Sequence, residues 1–201
     1  MKILAILCSP SKNGNTATLL NRALEGAKQE GAEVELFSVA GKDIKPCDEC
    51  RACAKTGKCV VKDDAEPLFE KMLAADGIIF GAPVFFYGMA AQAKAIIDRT
   101  TALAVPGRTL ANKVGGVVTV AGSLGLVDVV KDFCFYFFSR RMLMANYVAA
   151  YSINPEELKK MEKCMQAAYD LGRTMAVLAK ANFKYPVDLM GRAIAYGTHT
   201  K

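Results

Sequence analysis

One histidine and no tryptophan occur among the 201 residues of this chain. The single imidazole, His199, lies in the C-terminal tail. Neither a histidine-based catalytic triad nor a histidine-rich metal site has the residues it needs. Without tryptophan, any stacking on a flat ligand falls to Phe and Tyr. Two phosphate-binding signatures are also missing. No G-x-x-x-x-G-K-[ST] and no G-x-G-x-x-G follows a strand, which disfavours ATP hydrolysis and a standard dinucleotide site. No serine or cysteine sits in a nucleophile motif, so hydrolase chemistry has no candidate. No apolar run reaches the length of a membrane span, and the short run Ile3–Cys8 lacks a cleavage site and reads as a first strand. The net charge of +6 is spread out, with Lys159-Lys160 and Arg140-Arg141 as pairs rather than a stripe. Neither a membrane nor a nucleic acid is therefore expected as a partner.

What remains is ordinary in bulk. Hydrophobic residues make up 52% and charged residues 23%, the balance of a soluble globular protein. The length suits a single domain over residues 1–201 that buries its core without staples. The seven cysteines are odd in number and unevenly spread, which argues against a disulfide framework. A cytoplasmic setting is expected, where thiols stay reduced and free to bind metal.

Apolar runs and helical periodicities alternate. Strands are expected at 2–7, Val34–Val39, Gly77–Gly81, Val114–Val120 and Leu143–Ala149. Helices are expected at 16–30, 65–75, Ala90–Leu103 and 125–140, and again after the Asn154-Pro155 start signal. In that last helix Leu158, Met161, Met165, Ala168 and Met175 form one apolar stripe. The segment after Lys180, with Pro186, Gly191 and Gly197, is not assigned. Five buried strands alternating with helices imply an α/β fold with a doubly wound parallel sheet.

In such sheets ligands sit beyond the carboxyl ends of the strands, at the switch point, which for the order 2-1-3-4-5 lies between strands one and three. The loop after the first strand, Ser9-Pro10-Ser11-Lys12-Asn13-Gly14-Asn15-Thr16, is dense in hydroxyls and amides and ends at a helix N-terminus. Its backbone donors with Ser9, Ser11, Asn15 and Thr16 can hold a phosphate. A polar turn that merely caps the helix is the plainer alternative. The loop after the third strand, Ala82-Pro83-Val84-Phe85-Phe86-Tyr87-Gly88-Met89, is aromatic and can lie along a flat ring. The loop after the fourth, with Gly122 and Ser123, is small enough to let a ring approach. One loop for phosphate and two for a planar heterocycle suggest flavin mononucleotide (FMN).

Between the second strand and second helix, about 46–62, stand Cys47, Cys50, Cys53 and Cys59. Their C-x2-C-x2-C-x5-C spacing is closer to the ferredoxin run than to the separated pairs common around zinc. A 4Fe–4S cluster, a structural zinc and a vestigial site all remain open on spacing alone. Lys45, Arg51, Lys55 and Lys58 lie around the motif, either to raise a cluster's potential or simply as solvated surface. Cys8, Cys134 and Cys164 read as small buried side chains.

Taken together, S-P-S-K-N-G-N-T, A-P-V-F-F-Y-G-M with the following Asp98-Arg99, and the cysteine motif with Asp63-Asp64 resemble the iron–sulfur flavoproteins. These belong to the wider group of flavodoxin-like, NAD(P)H-dependent FMN reductases. The resemblance covers about residues 1–150. It implies a flavodoxin-like fold, FMN, a 4Fe–4S cluster, and assembly as homodimers or homotetramers. Carried onto this chain, Ser9, Ser11, Asn15, Thr16 and Ala17 would hold the FMN phosphate. Pro83, Val84, Phe85, Phe86, Tyr87, Gly88, Gly122 and Ser123 would contact ribityl and ring, and Cys47, Cys50, Cys53 and Cys59 would be the cluster ligands. Cys8, Ala82 and Ala90 depart from the usual pattern, which concerns individual hydrogen bonds.

The expected activity is electron transfer from a carrier such as ferredoxin through the cluster to FMN, and on to oxygen, peroxide or a quinone. The alternatives are an NAD(P)H-dependent FMN or quinone reductase without a functional cluster, and a non-catalytic metal-binding or sensor protein. Aromatics fill five of the six positions 133–138. One core face of a helix cannot bury them all, so a subunit interface or a deeply buried segment is expected.

Overall fold

The computed structural model describes residues 1–105 and 108–189. His199, Gly191 and Gly197 lie outside the described residues. The sheet is built from β1 (Lys2–Leu7), β2 (Glu33–Ser38), β3 (Gly77–Phe85), β7 (Val114–Ala121) and β8 (Leu143–Tyr151), and a short β4 (Gly88–Met89) hairpins back onto β3. A separate two-stranded ribbon joins β5 (Ala104–Val105) to β6 (Arg108–Thr109). The helices are α1 (Asn15–Gln29), α2 (Cys53–Thr56), α3 (Ala65–Ala74), α4 (Ala91–Arg99), α5 (Leu126–Ser139), α6 (Pro155–Lys159) and α7 (Glu162–Ala181), with 3-10 turns at Thr100–Leu103 and Val187–Leu189.

The five long strands are parallel in the order β2-β1-β3-β7-β8, the expected doubly wound arrangement. Side chains of β1, β3 and β7 are buried along nearly their whole length, because helices cover both faces. Strand alternation sorts them. Ile3, Ala5, Leu7 and Ile79 face α1 and α7, whereas Leu4, Ile6, Ile78 and Phe80 face α3 and α5. On the first face α1 and α7 nearly touch backbone to backbone. A Cβ on Gly26 would lie 2.0 Å from Tyr169 O, and one on Gly172 would lie 1.7 Å from Ala23 O.

Three elements differ from the sequence expectation. Strand β3 does not stop at Gly81 but runs to Phe85 and turns into β4. The helix expected over Ala90–Leu103 is α-helical only to Arg99 and finishes as a 3-10 turn. The helix begun at Asn154 is two helices, broken at Lys160-Met161. Asn154 caps the first, accepting from Glu156 N at 2.9 Å. Leu158, Ala168 and Met175 are buried, but Met161 falls in the break and is 39% exposed. No described helix is long and apolar enough to cross a membrane.

Candidate functional site

The loops at the carboxyl ends of β1, β3, β7 and β8 meet at one edge of the sheet. Behind β1, Ser9 is buried and its Oγ accepts from Ser11 N at 3.1 Å, folding the loop back on itself. Gly14 precedes α1 in extended conformation and supplies no side-chain cap, so the donors of the first turn face the loop without one. A Cβ on Gly14 would stand 3.2 Å from Ser11 Oγ, so the loop closes tightly there. Asn15 Nδ2 donates to Ser152 O at 2.8 Å and ties this loop to the one after β8. Its Oδ1 is buried with no hydrogen-bond partner. A buried, unpaired amide oxygen beside an uncapped helix start is costly unless a ligand or water completes it. Thr16 and Ala17 are buried, and the Thr16 methyl packs towards Gly81. Cys8 is fully buried and its thiol is pushed far up by desolvation. It packs as a small apolar side chain, as expected.

The aromatic segment is a tight hairpin rather than a loose loop. Val84 pairs with Met89 and Phe85 with Gly88, leaving Phe86 and Tyr87 as the two turn residues. Their φ values are +46° and +66°, the signature of a type I′ turn. Such turns favour Asn-Gly; two aromatic residues there hold strain in the left-handed region. Phe86 is wholly exposed and Tyr87 is 62% exposed. The loop after β7 presses on this hairpin. Gly125 has φ +90°, and a Cβ there would lie 2.7 Å from Tyr87 Cα and 2.8 Å from Val84 Cγ1. Gly122 and Ser123 are exposed beside it, and a Cβ on Gly122 would meet Ile153 Cγ2 at 3.3 Å. The segment of Pro83, Val84, Phe85, Phe86, Tyr87 and Gly88 therefore meets Gly125 through Val84 and Tyr87, while Asn15 joins the phosphate-loop candidates to Ser152.

The cysteine segment is closed at its base. Asp64 N donates to Asp43 O at 2.9 Å, Asp43 N to Asp64 Oδ2 at 2.8 Å, and Lys45 N to Asp63 Oδ2 at 2.8 Å. The structure brings Cys47, Cys50, Cys53 and Cys59 to one small pocket, together with Val60 and Arg99. Among the described residues, no three His, Cys, Asp or Glu side chains gather closely enough to hold a single metal ion. The donor set nevertheless fits a cluster, whose ligands are thiolates placed around its outside.

Sequence reasoning gave Arg99 no role, yet it organises this pocket. It is 2% exposed and ion-paired with buried Asp63. Nη1 also donates to Lys45 O at 3.2 Å, and Nη2 to Val61 O and to Cys59 Sγ, each at 3.4 Å. Burial pulls the guanidinium pKa down, but Asp63 and Cys59 push it up by more, and the net shift is upward. Burial likewise raises the Asp63 carboxyl, while Arg99 and the Lys45 and Ala65 amides lower it further, leaving it below the usual aspartate value. Of the cations around the motif, Arg51 pairs with Glu49 and Lys45 with Asp43 at the surface, in line with the solvated alternative.

Two clefts flank these features. One of about 690 Å³ runs along α1 and is lined by Lys12, Asn13, Arg22 and Lys159. A second, of about 700 Å³, lies between α4 and α5, with Cys47 and with Met89 of the β3–β4 hairpin among its lining residues. The aromatics of α5 divide as expected for a surplus: Phe133, Tyr136 and Phe137 are buried, whereas Phe135 and Phe138 are more than half exposed.

A doubly wound parallel sheet in this order is the flavodoxin-like fold. A sequence model of the NADPH-dependent FMN reductases matches residues 1–153. An iron-sulfur flavoprotein of Methanocaldococcus jannaschii is 45% identical over 123 residues, which cover 61% of this chain and 63% of that one. An iron-sulfur flavoprotein of Archaeoglobus fulgidus is 30% identical over 191 residues, 92% of this chain and 83% of that one. A solved flavodoxin from the domain Archaea superposes with a TM-score of 0.62 over 90% of this chain and 99% of its own, at 18% identity. The chain belongs to the NADPH-dependent FMN reductase family and, within it, to the iron–sulfur flavoproteins.

Proposed function

We propose that this chain is an electron-transfer oxidoreductase. Cys47, Cys50, Cys53 and Cys59 would hold a 4Fe–4S cluster, which would supply one-electron exchange with a carrier such as ferredoxin, and the loops at the sheet edge would hold FMN, which would supply electron transfer to a small acceptor such as oxygen, peroxide or a quinone. When bound, a cluster exchanges electrons singly and a flavin one or two at a time, which is the chemistry the pair supplies. The observation that carries this reading is that all four cysteines line one pocket, with a buried arginine bonded to Cys59 Sγ.

The residues divide the work of binding. Ser9, Ser11, Asn15, Thr16 and Ala17 form the phosphate cradle, in which the N–H groups at the uncapped start of α1 gain an acceptor. Pro83, Val84, Phe85, Phe86, Tyr87 and Gly88 border one side of the ring, and Gly122 and Ser123 the other. Gly125 lets these two segments touch. Phe86 and Tyr87, exposed at the rim, are what a small acceptor meets on its way in. The cleft shared by Cys47 and Met89 links the cysteine segment to the flavin side.

The test is an anaerobic preparation assayed for iron, acid-labile sulfide and FMN. Iron and sulfide in cluster stoichiometry are expected alongside FMN, and Cys50→Ser should lose the iron and keep the flavin. Wild-type protein with FMN and no iron would favour the second reading, an NAD(P)H-dependent FMN or quinone reductase without a cluster. The NADPH in the family's description speaks for that reading. A protein that retained no flavin and turned over with no donor would instead be a sensor on this scaffold.

A further inference from the structure

Arg99 joins two things that the sequence keeps apart. It seals the base of the cysteine segment by bonding Lys45 O on one side and Val61 O and Asp63 on the other. It also donates from Nη2 to the sulfur of Cys59. Its side chain is 1% exposed and that of Asp63 is 0% exposed, so neither charge is weakened by water. Its Nε–H has no acceptor among the described residues. A fully buried, permanently charged fork carries a large desolvation cost, which Asp63 and the two carbonyls offset. The arrangement leaves one N–H of that fork on a sulfur.

We infer that Arg99 is a positioning residue that fixes Cys59 in the cluster-binding pocket and, with Asp63, sets the reduction potential of whatever cluster the four thiols hold. This rests on the cluster reading above. Reduction adds one electron to a group that is already negative. A buried cation and an N–H···S bond both stabilise the reduced form and raise the potential. The Asp63 carboxylate opposes that cation, so the pair acts as a bias whose two halves pull in opposite directions.

The experiment uses the flavin-containing, cluster-loaded protein prepared anaerobically, with dithionite as the one-electron donor. The cluster midpoint is read by electron paramagnetic resonance and the flavin midpoint by absorbance as an internal reference. Four proteins are compared: wild type, Asp63→Asn, Arg99→Gln, and the double variant Arg99→Met with Asp63→Leu. The last replaces a buried ion pair by apolar side chains, an exchange that proteins often tolerate, and so keeps the comparison open if a single variant does not fold. The expected order of cluster midpoints is Asp63→Asn highest, then wild type, then the double variant, with Arg99→Gln lowest, while the flavin midpoint stays put. A role confined to holding the loop would move the variants together, or not at all, without following charge. Unchanged or charge-independent midpoints in cluster-bearing variants overturn the role of Arg99 alone. Absence of iron and sulfide from wild type overturns both this role and the cluster reading.

Discussion

Arg99 and Asp63 meet across 36 positions of sequence, and both are buried. Nothing in a linear reading connects them. The Asp63-Asp64 pair reads as a helix start, and Asp63 Oδ1 does accept from Ala65 N at 3.0 Å. Its other oxygen faces Arg99, which only the fold can reveal. The cysteines were legible because their spacing is local, and the phosphate-loop candidates because they lie consecutively. The cation on Cys59 was not, because burial selects one arginine out of many charged residues and leaves the nearby lysines in water. Separating the pair should cost about 3–5 kcal/mol, since a buried charge is left alone. The pH dependence follows from the lowered carboxyl of Asp63. A depressed native value means that the contribution is complete above the unfolded aspartate value, about 3.9, and is lost as pH falls through the native one. Denaturant unfolding of wild type and Asp63→Asn, followed by circular dichroism, should show a gap that is full at pH 7 and shrinks below pH ~4. A gap unchanged down to pH ~3 would show that Asp63 is not held ionised by Arg99.

At the scale of elements, the five parallel strands and most helices follow directly from apolar runs and 3.6-residue spacing. The hairpin Gly77–Met89 did not, because its turn lacks the Asn-Gly that normally announces it. Phe86 and Tyr87 occupy positions where the backbone favours other residues, and such strain persists where a site needs it. The break between α6 and α7 has no glycine or proline to mark it, so the stripe from Leu158 to Met175 reads as continuous. Replacing the turn by Phe86→Asn with Tyr87→Gly should raise the melting temperature by about 2–4 °C. The same variant should slow turnover with a quinone acceptor, because the exposed rim of the site is gone. A lower melting temperature would mean that the aromatic turn is packed rather than strained.

For the molecule as a whole, one sheet edge carries both the candidate phosphate loop and the hairpin, and Cys47 of the cysteine segment lines a cleft together with Met89 of that hairpin. Phe135 and Phe138 project from α5 near that cleft and offer an apolar face to a second copy of the chain. We expect a homodimer or homotetramer by light scattering at micromolar concentration, and a smaller species for Phe135→Asp with Phe138→Asp. A wild-type monomer would remove that proposal and leave the site within one chain. The central claim, that electrons enter by the cysteines, is tested most directly by anaerobic stopped-flow absorbance. The fully loaded protein is mixed with reduced ferredoxin in one syringe series and with NADH in another. With ferredoxin, the cluster should bleach no later than the flavin, and Cys50→Ser should lose the fast flavin phase. Direct, fast reduction of the flavin by NADH while the cluster stays oxidised would contradict the account.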